Sequence, residues 1–214
     1  MYKGMAILSW LFGLVFAELL GIGSAYLAYL SGVNEVFSGS IADAIIVSAR
    51  FLFLSYIARV ASVNLSSAIH KPLPKRSSQL LFLATLAFIV ILLDYSVTVY
   101  TSNKPYKPQL IGYRYYAEQG AVWCFPLKVA YYLSEIIVMN FMYILAKKAW
   151  KILNRPIIAG IVFLVLGWAL PHVFTKSVFV AIYAIVLVVI FYSGYELTSS
   201  PLAPVILWFI VLLV

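Results

Sequence analysis

Residues 195–213 read YELTSSPLAPVILWFIVLL: a polar turn, two prolines at 201 and 204, then an unbroken apolar run. A Ser/Thr-rich connector is suited to cap the helix that follows it, and prolines are tolerated in or near a first helical turn, where their missing N–H is unpaired in any case. The stretch before the turn, 177–195, is also apolar. A polar turn between two such segments is the junction of two membrane spans.

Working outward, about seven apolar stretches approach the length needed to cross roughly 30 Å of hydrocarbon at 1.5 Å per residue. They lie near 5–30, 41–62, 79–101, 122–146, 156–173, 177–195 and 201–214. Each is a continuous apolar run, unlike the ten-residue alternations of an outer-membrane barrel. Composition agrees: 64% of the 214 residues are apolar and 10% charged, with mean hydropathy +1.02. Such a chain has too little polar surface for a water-soluble globule. The expected fold is all-α, a polytopic transmembrane helix bundle forming one domain, without long inserts or internal repeats. The first apolar stretch is too long for a signal peptide, contains Glu18 and lacks a small-x-small cleavage site, so it is expected to remain as a span.

The net charge of +8 does not point to nucleic acid, because the basic residues sit in short connections between spans. An N-terminus in the cytoplasm places Lys3, Lys71, Lys75, Arg76, Lys147, Lys148, Lys151 and Arg155 inside, against Lys104, Lys107, Arg114 and Lys176 outside. Eight against four favours an N-inside, C-outside topology, with the plasma membrane of a prokaryote as the expected location. The inner clusters are also suited to anionic lipid headgroups. The connection 102–121 mixes tyrosines with Lys104, Lys107 and Arg114, as an interfacial aromatic and basic belt does. The single cysteine, Cys124, excludes an internal disulfide and any cysteine-built metal site.

Ionisable residues within spans carry most of the information, since each costs roughly 2.5–3.5 kcal/mol at a helix centre and is usually paired or functional. They are Glu18, Asp43, Arg50, Asp94, Lys128 and Glu135. Asp43 and Arg50 are two helical turns apart and share a face. Arg50 is deep enough to need a carboxylate, and Asp94 on the third span is the expected interhelical partner, so Asp43, Arg50 and Asp94 are read as an intramembrane ion-pairing set. Lys128 and Glu135 repeat the same spacing, and Lys128 is suited to snorkel to the interface. Of the two histidines, His70 sits in a basic, proline-punctuated loop. His172 follows Pro171 at the end of the fifth span, where a terminal carbonyl is free to bond its ring.

Read together, SEIIVMNFMYILAKKAW (134–150), LGWALPH (166–172) and YELTSSPLAPVILW (195–208) resemble, in order and approximate spacing, the CAAX-protease and bacteriocin-processing intramembrane peptidases. The pattern of that family is a Glu-Glu-x-x-x-Arg helix, a later Phe-x-x-x-His and a closing His-x-x-x-Asn after a turn like the one quoted above. Glu135 matches the second glutamate, and Ser134 replaces the first. Met139 stands at the arginine position. His172 matches the first histidine, preceded by Trp168 in place of phenylalanine. Trp208 and Leu212 replace the closing histidine and asparagine. The resemblance, over about residues 130–214, implies a scaffold on which Glu135 and His172 are the remnant catalytic pair, meeting at depths of about 18 and 25 Å from the cytoplasmic ends of their spans.

One glutamate and one histidine do not make a three-ligand metal site, so zinc is implied only if the chain is an active hydrolase with a non-standard Glu135/His172 site. The expected function is a degenerate member that has lost peptidase activity, needs no cofactor, and binds a membrane-protein partner or an isoprenoid or acyl chain in the lipid bilayer. The alternatives are an accessory subunit of a larger membrane complex, such as a respiratory one, or a small transporter.

Overall fold

A computed structural model describes residues 1–63, 73, 76–102, 116–150, 156–175 and 177–213, with side chains left aside at 98–102, 175, 212 and 213. Six helices in it are long and apolar enough to cross a membrane. These are α1 (Tyr2–Leu30), α2 (Glu35–Val60), α3 (Ser77–Ser102), α4 (Phe125–Ala149, entered through a 3-10 turn at Val122–Cys124), α5 (Pro156–Phe174) and α6 (Val178–Thr198). A seventh, α7 (Leu202–Leu213), has 12 residues and rises about 18 Å, less than a bilayer core. The described residues therefore form an all-α bundle of six full-length spans and one short apolar helix.

Helix ends follow local chemistry. Asn34 caps α2, its Oδ1 accepting from the Phe37 N–H at 3.0 Å, so the helix starts several residues before the apolar run that marks it in the sequence. Ser177 caps α6 through the Val180 N–H at 3.2 Å, and Pro126 occupies the first turn of α4.

Helix α4 is the centre of the bundle, touching α1, α2, α5 and α7, and most of its length from Ile136 to Ala146 is inaccessible. In lipid the apolar surface of a helix gains little from meeting another helix, so association depends on close packing and interhelical hydrogen bonds. Close packing is clearest at Gly21 of α1, where an added Cβ would stand 2.3 Å from Ile46 Cγ1 of α2.

Interhelical hydrogen bonds explain the polar turn between α6 and α7. Glu196 accepts from Tyr143 Oη at 2.9 Å and from Lys147 Nζ at 2.5 Å, both on α4. The buried Asn140, also on α4, donates to the Pro201 carbonyl at 3.1 Å and accepts from Tyr192 Oη at 3.0 Å. Ser199 turns the chain at φ +51°, a left-handed conformation that ends the helix, and Ser200 Oγ caps α7 through the Leu202 N–H at 3.2 Å. The turn is thus riveted to α4, which sets the direction of α7 and carries Trp208 into the bundle.

Candidate functional site

Two helices that line the site contain wider-than-α turns. Leu11–Phe16 in α1 and Val165–Ala169 in α5 are π-helical, a conformation that concentrates at functional sites. The cause is visible in α5. Pro171 has no N–H to give the Gly167 carbonyl four residues earlier, and the Trp10 indole of α1 donates to that oxygen instead, at 2.6 Å. The contact needs glycine, since a Cβ at 167 would lie 2.9 Å from Trp10 Cδ1. One residue on, the Trp168 carbonyl is met by His172 Nδ1 at 2.8 Å. A carbonyl only accepts, so Nδ1 carries the proton.

In α1 the widened turn meets the one fully buried arginine among the described residues. Arg50 Nε donates to the Gly13 carbonyl at 3.1 Å, Nη1 to the Tyr131 carbonyl at 3.1 Å and Ser134 Oγ at 2.9 Å, and Nη2 to Glu18 Oε1 at 2.5 Å. Tyr131 Oη donates to the same glutamate oxygen at 2.9 Å, and the guanidinium lies 4.7 Å from the Tyr131 ring centroid. A buried cation held this way meets both of its requirements, an opposite charge and partners for its fork of donors. Lys128, two turns before Glu135 on α4, pairs with Asp43 at 3.0 Å and stands over the Tyr131 and Tyr132 rings.

Beside this cluster is a cavity of about 670 Å³. Helix α1 lines it with Trp10, Glu18 and Leu19, α4 with Lys128, Tyr132 and Glu135, α5 with Trp168 and His172, and α7 with Trp208. Glu135 Oε1 accepts from Trp168 Nε1 at 2.7 Å. Trp168 packs edge-on against the His172 ring at 4.9 Å and the Trp208 ring at 5.8 Å. Trp208 also meets Tyr132 and Phe191 edge-on, and its Nε1 donates to the Tyr132 carbonyl at 3.1 Å. Glu135, His172 and Trp208, from three separate helices, therefore border one space.

The ion pairing departs from the expected arrangement. The carboxylate that reaches Arg50 is Glu18 and not Asp94, because α1 packs along α2 whereas α3 lies against α6 and α7. Asp94 accepts a hydrogen bond from Tyr183 Oη of α6. Asp43 shares a helix with Arg50 but is bonded to Lys128. Ser134 is a ligand of Arg50, and Met139 is wholly buried in the apolar core, away from the cavity lining. The side chain of Leu212 and all of His70 lie outside the described residues, as do Lys71, Lys75, Lys104, Lys107, Arg114, Lys151, Arg155 and Lys176. Among the described residues no three of His, Cys, Asp and Glu gather closely enough to hold a metal ion.

Sequence reasoning passed over Trp10, Tyr131 and Gly13, whose roles are to serve a carbonyl, a carboxylate and a guanidinium on other helices. The available signal was Pro171, which guarantees an undersupplied carbonyl at Gly167.

The fold and the cavity define a class, a polytopic bundle of membrane-length apolar helices with a partly open, mostly apolar cavity edged by a few polar side chains. No family model, no curated protein and no solved structure matches the chain.

Proposed function

We propose that this chain is a non-catalytic relative of the CAAX-protease and bacteriocin-processing peptidases whose intramembrane cavity holds an isoprenoid or acyl chain. The observation that carries the reading is the convergence of Glu135, His172 and Trp208 on one cavity, as the resemblance requires of the positions they occupy. The cavity has the size of a ligand site and walls that are mostly apolar and aromatic. Its α1 wall includes Leu19 and Ile22, both 62% exposed on the outside of the bundle, so a chain can enter sideways from the lipid.

Catalysis is disfavoured by what surrounds the pair. Hydrolysis needs a base, an electrophile and oxyanion donors converging on a water. Trp208 instead places an indole there, which neither accepts a proton nor binds a metal, and its only N–H is bonded to Tyr132. Glu135 is held by Trp168, and the guanidinium expected of an active member is replaced by the buried thioether of Met139. The charge distribution of the sequence favours an N-terminus on the cytoplasmic face of a prokaryotic plasma membrane, which sets Lys128 and His172, and with them the cavity, toward the outer leaflet.

The test uses purified protein in nanodiscs, incubated with farnesylated and unfarnesylated peptides, with and without zinc, alongside Glu135→Ala. Saturable binding of the farnesylated peptide with no cleavage in either protein is the expected result. Cleavage by the wild type that disappears in Glu135→Ala overturns the proposal and makes the chain a hydrolase. Absence of any saturable binding removes the chain-binding reading.

A further inference from the structure

The hydrogen-bonding groups around the cavity divide unequally. All three indole donors are engaged: Trp10 with the Gly167 carbonyl, Trp168 with Glu135 and Trp208 with the Tyr132 carbonyl. Tyr131 Oη is given to Glu18, and the Arg50 side chain, 1% exposed, is directed at protein acceptors. The donors that remain are Lys128 Nζ and the Tyr132 hydroxyl. An acceptor remains as well. Oε2 of Glu135 has no hydrogen-bond partner among the described residues and is not among their buried unpartnered atoms, so it is an accessible oxygen on a side chain that lines the cavity.

Charge divides the same way. Arg50 is matched by Glu18 and Lys128 by Asp43. Glu135 has no cation within salt-bridge distance among the described residues. Lys128 is seven residues, about 10 Å of helix, from Glu135, and its ammonium rests over two tyrosine rings. Among the described residues that line the cavity, Glu135 is thus left as a carboxylate without an ion-pair partner, beside aromatic walls. An unmatched carboxylate at membrane depth is costly, and the group that completes it is a hydrogen-bond donor carrying positive charge.

Resting on the chain-binding reading above, we infer that the ligand is a cationic amphiphile, with a protonated amine bonded to Glu135 Oε2 and its hydrocarbon chain running out past Leu19 and Ile22 to the lipid. Aromatic faces around an ammonium add to the selectivity. An alcohol of equal length supplies one neutral donor, and a carboxylate supplies repulsion.

The experiment uses the full chain in nanodiscs of zwitterionic lipid with three ω-brominated C12 probes: dodecylamine, dodecanol and dodecanoic acid. Bromine quenches the indoles of the cavity, and protein-free nanodiscs correct for partitioning. The expected result is saturable quenching by the amine at a concentration about tenfold or more below that of the alcohol, with the acid weakest, as a charge-assisted hydrogen bond implies. In Glu135→Gln, which keeps an oxygen for Trp168, the amine-to-alcohol preference falls toward one. Equal affinities for amine and alcohol in the wild type, or a preference for the acid, overturn the inference while the alcohol's own saturable binding keeps the chain-binding reading. An amine preference unchanged in Glu135→Gln also overturns it. Failure of all three probes to saturate removes both.

Discussion

Replacing Arg50 by methionine removes a guanidinium that is 1% exposed and joins α2 to α1 through Gly13 and Glu18, and to α4 through Tyr131 and Ser134. Methionine fills much of the same volume, so the perturbation is mainly electrostatic. Glu18 keeps the Tyr131 hydroxyl but loses its cation. Breaking a buried pair by removing one partner costs about 3–5 kcal/mol, because the other charge stays behind unmatched. At roughly 2–4 °C per kcal/mol for a chain of this size, the unfolding temperature falls by about 6–20 °C. The protein carries its own reporter, since its one cysteine, Cys124, is buried and becomes available to a thiol-reactive dye only on unfolding. If the orphaned charge is the cause, Glu18→Gln in the Arg50→Met background recovers at least half of the loss, as a double-mutant cycle resolves. An Arg50→Met protein melting within 2 °C of wild type, or a double variant no more stable than the single one, refutes the reasoning.

Gly21→Ala drives a methyl into Ile46 and costs about 1–3 kcal/mol, and Ile46→Ala in the same chain relieves it; an unchanged melting temperature in Gly21→Ala alone contradicts this close approach. Trp208→Ala strips a ring packed against Tyr132, Trp168 and Phe191 and lowers stability by about 3–5 kcal/mol, which the same dye assay reads; a variant as stable as wild type shows that the ring is not packed there. For topology, a cysteine at Ser78 is expected to label from the cytoplasmic side and one at Ser102 from the outside, with buried Cys124 silent; cytoplasmic labelling at Ser102 reverses the orientation.

The spans were legible from residue order because the bilayer imposes a one-dimensional rule. A helix that satisfies its own backbone needs only enough consecutive apolar residues, and that quantity is local. Boundaries moved where a single polar side chain overrode hydropathy, as Asn34 does in starting α2 within a polar stretch. The last apolar segment, read as 201–214, corresponds to a helix described from Leu202 to Leu213, whose start is fixed by the Ser200 cap.

Partnership was not local. The sequence shows that Arg50 needs a carboxylate, and nothing in the spacing of Glu18, Asp43 and Asp94 says which one it meets. That choice follows from α1 lying along α2 through the Gly21 contact, while α3 turns its aspartate toward Tyr183. The same holds for the cavity. Trp208, Glu135 and His172 each stand out in the sequence, but their common space exists because Asn140, Tyr143 and Lys147 fix the turn that aims α7. By itself the sequence determined the membrane class, the helices and the residues too polar to be idle. The tertiary structure decided which of those residues meet, because interhelical hydrogen bonds and close contacts join positions tens of residues apart, and no periodicity along one chain encodes them.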